Sequence, residues 1–107
     1  MSLDVRLTAA RKTTIYEANI THNLGKMADA AGIYYHLWRP EEIGISRAGD
    51  LIEPLKNGLE LLRSDPERFK GFDAPNGWGT YKHFVPFVAE YLLSCEANPD
   101  ADISVSR

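Results

Sequence analysis

Between Asp73 and Tyr81 the chain reads Asp-Ala-Pro-Asn-Gly-Trp-Gly-Thr-Tyr, a run that no helix or strand passes through. Pro75 fixes its own φ and biases Ala74 toward an extended conformation. Asn76-Gly77 is a strong turn dipeptide, because both residues tolerate positive φ. Gly79 lets the chain swing into a helix with Thr80 as the expected N-cap, its hydroxyl accepting from the backbone N–H of Lys82 or His83. The longest apolar helical stripe in the sequence follows at once: Tyr81, Phe84, Phe87, Val88, Tyr91, Leu92 and Cys95, with Pro86 on the outward face. A fold for this chain therefore has to seat a long amphipathic helix whose entrance carries a tryptophan. Trp78, held between two glycines, either closes one end of the core or is presented for recognition. Large aromatics on loops of small domains favour the plug.

The rest of the pattern supplies what that helix covers. Leu3, Val5 and Leu7 alternate with Asp4, Arg6 and Thr8, as in a half-buried strand. After a short linker around residues 9–11, Thr13-Thr14-Ile15-Tyr16 reads as the second arm of a hairpin. Asn19 to Asn23 is a junction in which Asn19 or Thr21 caps a helix whose core face is Leu24, Met27, Ala28 and Ala31, with Gly32 as the αL stop. On that helix His22 points away from the apolar stripe, with Lys26 and Asp29. An aromatic turn over residues 33–38 ends at Pro40, and Glu41-Glu42 suit the first turn of another short helical piece.

From Ser46 the stripe Ala48, Leu51, Ile52, Leu55, Leu59, Leu62 keeps one phase across Pro54, which predicts a single kinked helix. Ser64-Asp65-Pro66 ends it. Arg68 to Phe72 is a connector whose Phe69 and Phe72 are expected under the tryptophan loop. Asn98-Pro99-Asp100 breaks the last helix, and residues 102–106 alternate as a closing strand. The expected fold class is α+β in a single domain, residues 1–107. A sheet of about three strands, the N-terminal hairpin plus the C-terminal strand, is covered by three to four helices in the order ββαααβ.

Composition narrows the function classes. A net charge of −3, without a basic run or stripe, argues against nucleic acid and against an anionic membrane. One cysteine excludes an internal disulfide framework and fits a reducing compartment, so the expected location is cytoplasmic. His22, His36, His83 and Cys95 are the candidate metal ligands. No two of them stand at helical ligand spacing, so no metal is expected. Cys95 falls in the centre of an apolar stripe, which predicts an inert thiol. Gly77-Trp78-Gly79 lacks the lysine and glycine count of a phosphate loop and the dinucleotide fingerprint, so no cofactor is expected.

The residues left for recognition are Asn19, His22, Asn23, Trp38, Arg39, Asn76, Trp78 and Thr80. His22 beside three hydrogen-bonding neighbours is either a solvated member of a capping network or a general acid or base. The capping reading is favoured, since no nucleophile or carboxylate pair is arranged around it. Trp38 to Glu42 is equally a recognition patch or a core tryptophan with a salt-bridged loop. Leu61 and Leu93 lie off their stripes and are the candidate contact residues for a protein partner or a second copy, if they share one surface.

The segments Asn19-Ile20-Thr21-His22-Asn23-Leu24, Trp38-Arg39-Pro40-Glu41-Glu42-Ile43-Gly44 and Asn76-Gly77-Trp78-Gly79-Thr80-Tyr81 resemble a family of small uncharacterised bacterial and phage-borne proteins. That resemblance carries no activity, cofactor or catalytic residue, and implies only that a phage or mobile-element setting is conceivable. The leading expectation is a small soluble intracellular binding domain without catalysis. The alternative is an enzyme with His22 as general acid or base, acting on a small polar or anionic substrate near Trp78–Thr80. A concave site uniting His22 with Asn76 or Thr80 favours the enzyme; a flat surface with Trp78 buried disfavours it.

Overall fold

The computed structural model describes residues 2–9 and 13–107. Three antiparallel strands, β1 (Ser2–Thr8), β2 (Thr14–Thr21) and β3 (Asp102–Ser106), form one sheet in the order β2-β1-β3. The first strand is therefore central, flanked by its hairpin partner and by the last strand. Pairing of Leu3 with Ile20, Val5 with Ala18 and Val105, and Leu7 with Tyr16 and Ile103 puts all eight apolar side chains on one face. The opposite face is polar and open, crossed by the Arg6–Glu17 ion pair at 2.8 Å.

Five helices follow in sequence: α1 (Gly25–Ala30), α2 (Tyr34–Trp38), α3 (Ile52–Ser64), α4 (Pro66–Lys70) and α5 (Tyr81–Ala97). With the one-turn helices α2 and α4 grouped with their neighbours, the order is ββαααβ and the class is α+β. Leu24, Met27, Ala28, Leu55, Leu59, Leu62, Phe84, Val88 and Tyr91 meet the sheet's apolar face in one core. Each Leu, Val, Met or Phe among them contributes about 1.5–3 kcal/mol on leaving water. Closeness between α3 and the α1–α2 turn is set at Gly58, where a Cβ would stand 2.6 Å from Ile33 Cγ2.

Several local expectations are corrected. The second strand does not stop at Tyr16. It continues through Asn19-Ile20-Thr21, which pair with Ser2–Asp4, and Thr21 at its end still caps the turn that follows. The stripe from Ala48 to Leu62 is not one kinked helix. A 3₁₀ turn over Ala48–Leu51 precedes α3, and Pro54 lies in the first turn of α3, where its missing N–H is no loss. Residues 66–70 form α4, with Asp65 accepting from the Arg68 N–H at 3.4 Å, rather than a plain connector. Of its two phenylalanines only Phe69 is buried, and Phe72 stays exposed. The linker expected around residues 9–11 falls mostly outside the described residues.

Pro86 faces outward in the interior of α5, as the stripe implied. Leu61 and Leu93 are both exposed. The Tyr81 hydroxyl donates to the Leu62 carbonyl at 2.8 Å, fixing the start of α5 beside the end of α3. Leu93 lies about 18 Å further along α5 at 1.5 Å per residue. No helix is long and apolar enough to cross a membrane among the described residues.

Candidate functional site

A cleft lies where β2 ends. It is lined by Ser2 and residues 19–24 from the strand end and its first turn, and by residues 76–79 with His83 from the tryptophan loop and α5. Its volume is about 920 Å³. Two segments far apart in sequence thus meet, and the contacts that bring them together can be named. The Asn23 side-chain amide donates to the Trp78 carbonyl at 2.8 Å. Gly79 is the close-approach point. Its φ is +109°, and a Cβ there would stand 3.0 Å from both Asn23 Cβ and Thr21 Cγ2.

The loop itself is a set of nested turns. The Gly77 N–H donates to the Ala74 carbonyl, the Ala74 N–H to the Gly79 carbonyl, and the Trp78 N–H to Asn76 Oδ1, each at 3.0 Å. Asp73 ties its other end to α5 by accepting from the Tyr81 N–H at 2.7 Å. That is the capping role expected of Thr80. The Thr80 hydroxyl instead shares a 2.8 Å hydrogen bond with His83 Nδ1. These bonds hold the backbone while leaving the indole outside. Trp78 is 71% exposed, so it does not close the core, and the plug reading is overturned.

His22 is held differently. Trp38, 2% exposed, donates from its indole Nε1 to His22 Nδ1 at 2.8 Å. An indole N–H only donates, so Nδ1 must accept, and the ring carries its proton on Nε2. The first turn also satisfies its own backbone, with Thr21 Oγ1 accepting from the Asn23 N–H at 3.3 Å. Asn19 donates its amide to Ser2 Oγ at 2.9 Å and to the Asp4 carboxylate. Because Asn19 and Asn23 spend their NH₂ groups internally, their carbonyl oxygens remain as acceptors. Asn76 spends its oxygen on Trp78 N–H and keeps its NH₂ as a donor. The lining carries no Lys, Arg, Asp or Glu among the described residues.

Five of the eight residues singled out from sequence, Asn19, His22, Asn23, Asn76 and Trp78, line this cleft. Trp38 stands behind it as the partner of His22. Thr80 lies one bond away, through His83. Arg39 is elsewhere, paired with Glu42 at 2.7 Å and reaching the Tyr34 hydroxyl at 3.4 Å, and these contacts raise its pKa. The stretch from Trp38 to Glu42 is thus a core tryptophan with a salt-bridged loop, which Arg107 completes by donating to the Trp38 carbonyl and to Glu41. His83, named from sequence only as a candidate metal ligand, is a lining residue outside the recognition set, as are Ser2 and Thr21. Its position in the first turn of α5, three residues after Thr80, was the available signal.

His36 and Cys95 take no part. Burial lowers the pKa of His36 and pushes the Cys95 thiol up to about 12. No group of three His, Cys, Asp or Glu side chains is placed to hold a metal ion among the described residues. Compared with protein-family models, with curated proteins and with solved structures, the chain finds no match.

Proposed function

We propose that this protein is a non-catalytic binding domain, acting in the cytoplasm, that takes an uncharged segment of another protein into the cleft between His22 and Trp78. The observation that carries this reading is the pinned loop. A tryptophan whose backbone is fixed by hydrogen bonds while its ring faces solvent loses little entropy on contact, which is what a hot-spot residue requires. Around it stand acceptors on Asn19 and Asn23 and donors on Asn76 and His22, the two kinds of group that a peptide backbone pairs with. The uncharged lining selects against strongly charged segments. Two of the three stretches that carry the resemblance to bacterial and phage-borne proteins, Asn19–Leu24 and Asn76–Tyr81, form this cleft, and a phage-related role is consistent with it.

The enzyme reading retains one supporting observation, the concave site that unites His22 with Asn76. Against it stands the state of the histidine. With Nδ1 accepting from Trp38 and Nε2 carrying the proton, the ring has no lone pair for a substrate proton. No carboxylate in the lining relieves that. The test is selection of short peptides on the immobilised protein, followed by mapping of the best binders through amide and indole NMR shifts. Binders should perturb Asn23, Asn76 and the Trp78 indole and lose at least tenfold in affinity on Trp78→Ala, a loss of about 1.4 kcal/mol. Binders that ignore Trp78→Ala and shift residues elsewhere would overturn the proposal.

A further inference from the structure

The chain contains two Asn-Gly pairs, Asn57-Gly58 and Asn76-Gly77. An asparagine followed by glycine can lose its side-chain amide without an enzyme, because glycine leaves its own backbone nitrogen unshielded beside the asparagine Cγ. Which pair reacts is decided by the fold. Asn57-Gly58 lies inside α3, where the helix directs the Gly58 N–H at the Pro54 carbonyl and away from the Asn57 side chain. Gly58 is also buried, with Ile33 filling the space beside its Cα, so its nitrogen has no room to move. Asn76-Gly77 has the opposite setting. Both residues are exposed, Gly77 has a φ of +78°, and no atom beyond its chain neighbours lies within 4 Å of where a Cβ would stand. The Trp78 N–H donates to Asn76 Oδ1 at 3.0 Å, which folds the amide back along the Gly77 peptide and draws electron density from Cγ. The Gly77 N–H is held by one bond, to the Ala74 carbonyl at 3.0 Å, in a turn open to water.

We propose that Asn76 is a site of spontaneous amide loss, and that this modification writes a negative charge into the cleft. The Gly77 nitrogen gives up its proton to solvent base and attacks Asn76 Cγ. The new Cγ–N bond closes a five-membered imide as the Cγ–Nδ2 bond breaks, and Nδ2 takes up a proton from water and leaves as ammonia. Water then opens the imide at either carbonyl, giving aspartate or its isoaspartyl isomer, and nothing is oxidised or reduced. Both products exchange the Asn76 donor for a carboxylate, in a lining that carries no Lys, Arg, Asp or Glu among the described residues. The isoaspartyl product also lengthens the main chain by one carbon, within the turn that the Gly77–Ala74 and Ala74–Gly79 bonds close. Trp78 thereby loses backbone support, and the cleft loses its hold on an uncharged segment. That loss of binding rests on the peptide reading of the cleft, whereas the modification rests only on the exposed turn.

The test is incubation of the native full chain at mildly alkaline pH, followed by brief tryptic digestion at mildly acid pH and mass spectrometry. Cleavage at Lys56, Arg63, Lys70 and Lys82 isolates residues 57–63 and 71–82, each with a single side-chain amide. Residues 71–82 should acquire the mass gain of amide-to-acid conversion, in two products separable by chromatography. Residues 57–63 should convert at least about tenfold more slowly, the rate difference that about 1.4 kcal/mol of added barrier produces. In denaturant the two rates should converge, since the helix is what protects Asn57. Equal native rates overturn the proposal. So does a native Asn76 that stays intact for as long as the denatured one takes to convert. Selected peptides should bind the converted protein and Asn76→Asp at least about tenfold more weakly. Undiminished affinity would overturn the loss of binding, and conversion at Asn76 without any peptide binder would sink only the reading of the cleft.

Discussion

The Asn23 amide and the Trp78 carbonyl, 55 positions apart in sequence, meet at 2.8 Å and fix the tryptophan loop to the end of β2. Without that bond the loop keeps the Gly79 contact, the Asp73 bond to Tyr81 and its own internal turns. Asn23→Ala should therefore cost about 1 kcal/mol of stability, the usual net worth of such a hydrogen bond. Its larger effect should fall on the loop. Amide exchange over residues 76–79 should accelerate on Asn23→Ala while exchange in α5 is unchanged, and unaltered loop exchange would show that the bond does not hold the site together.

The entry to α5 is capped from an unexpected place. Asp73 accepts from the Tyr81 N–H, while the Thr80 hydroxyl is engaged with His83. A carboxylate at a helix N-terminus also meets the positive end of the helix dipole. Asp73→Ala should lower stability in urea unfolding by about 0.5–2 kcal/mol. Thr80→Ala should cost clearly less, because no backbone N–H loses its partner. The reverse order of the two variants would return the cap to Thr80.

Much of α5 is legible in the sequence because nothing competes with its periodicity. Seven stripe positions at period 3.6 give both its bounds and its buried face. The end of β2 is not legible in the same way. Asn19-Ile20-Thr21 has capping composition, and what keeps it extended is pairing with Ser2–Asp4, a partner set by tertiary structure. The cleft follows the same division. Its residue types on either side, His22 with Asn23 and Asn76 with Trp78, stand out as polar or aromatic punctuation. Their meeting depends on a contact at Gly79 that no local pattern announces. The exposure of Trp78 is hidden from the sequence for a related reason: the frequency of buried loop tryptophans says nothing of a loop whose turns close on themselves.

His36 gives the fold a pH dependence with a definite sign. Its Nδ1 is buried without a hydrogen-bond partner, and burial lowers its pKa below the ordinary histidine value. The unfolded chain therefore takes up a proton on His36 at higher pH than the folded chain. The contribution is fully present above about pH 6.5 and is lost as pH falls through that value toward the lowered one. The melting temperature of the wild type should drop between neutral and mildly acid pH more steeply than that of His36→Leu. Parallel profiles would show that the ring is no more costly to protonate in the fold than out of it.

Cys95 should be silent in the native protein. Burial pushes its thiol up to about 12, and its neighbour Glu96 acts in the same direction. A thiol held that high offers almost no thiolate near pH 8. A disulfide-exchange reagent should react with the native protein only at the rate of unfolding, and with one equivalent in denaturant. Rapid native reaction would place Cys95 on an accessible surface rather than in the core.

Binding without catalysis requires that His22 present a donor to the cleft, and long-range proton–nitrogen correlation spectra of its ring at mildly alkaline pH read that directly. With Trp38 donating to Nδ1, the spectrum should show Nδ1 as the unprotonated nitrogen and Nε2 as the protonated one, and Trp38→Phe should turn this single tautomer into a mixture. A wild-type ring protonated on Nδ1 would contradict it, since Nε2 would then carry a free lone pair and His22 would be armed as a base.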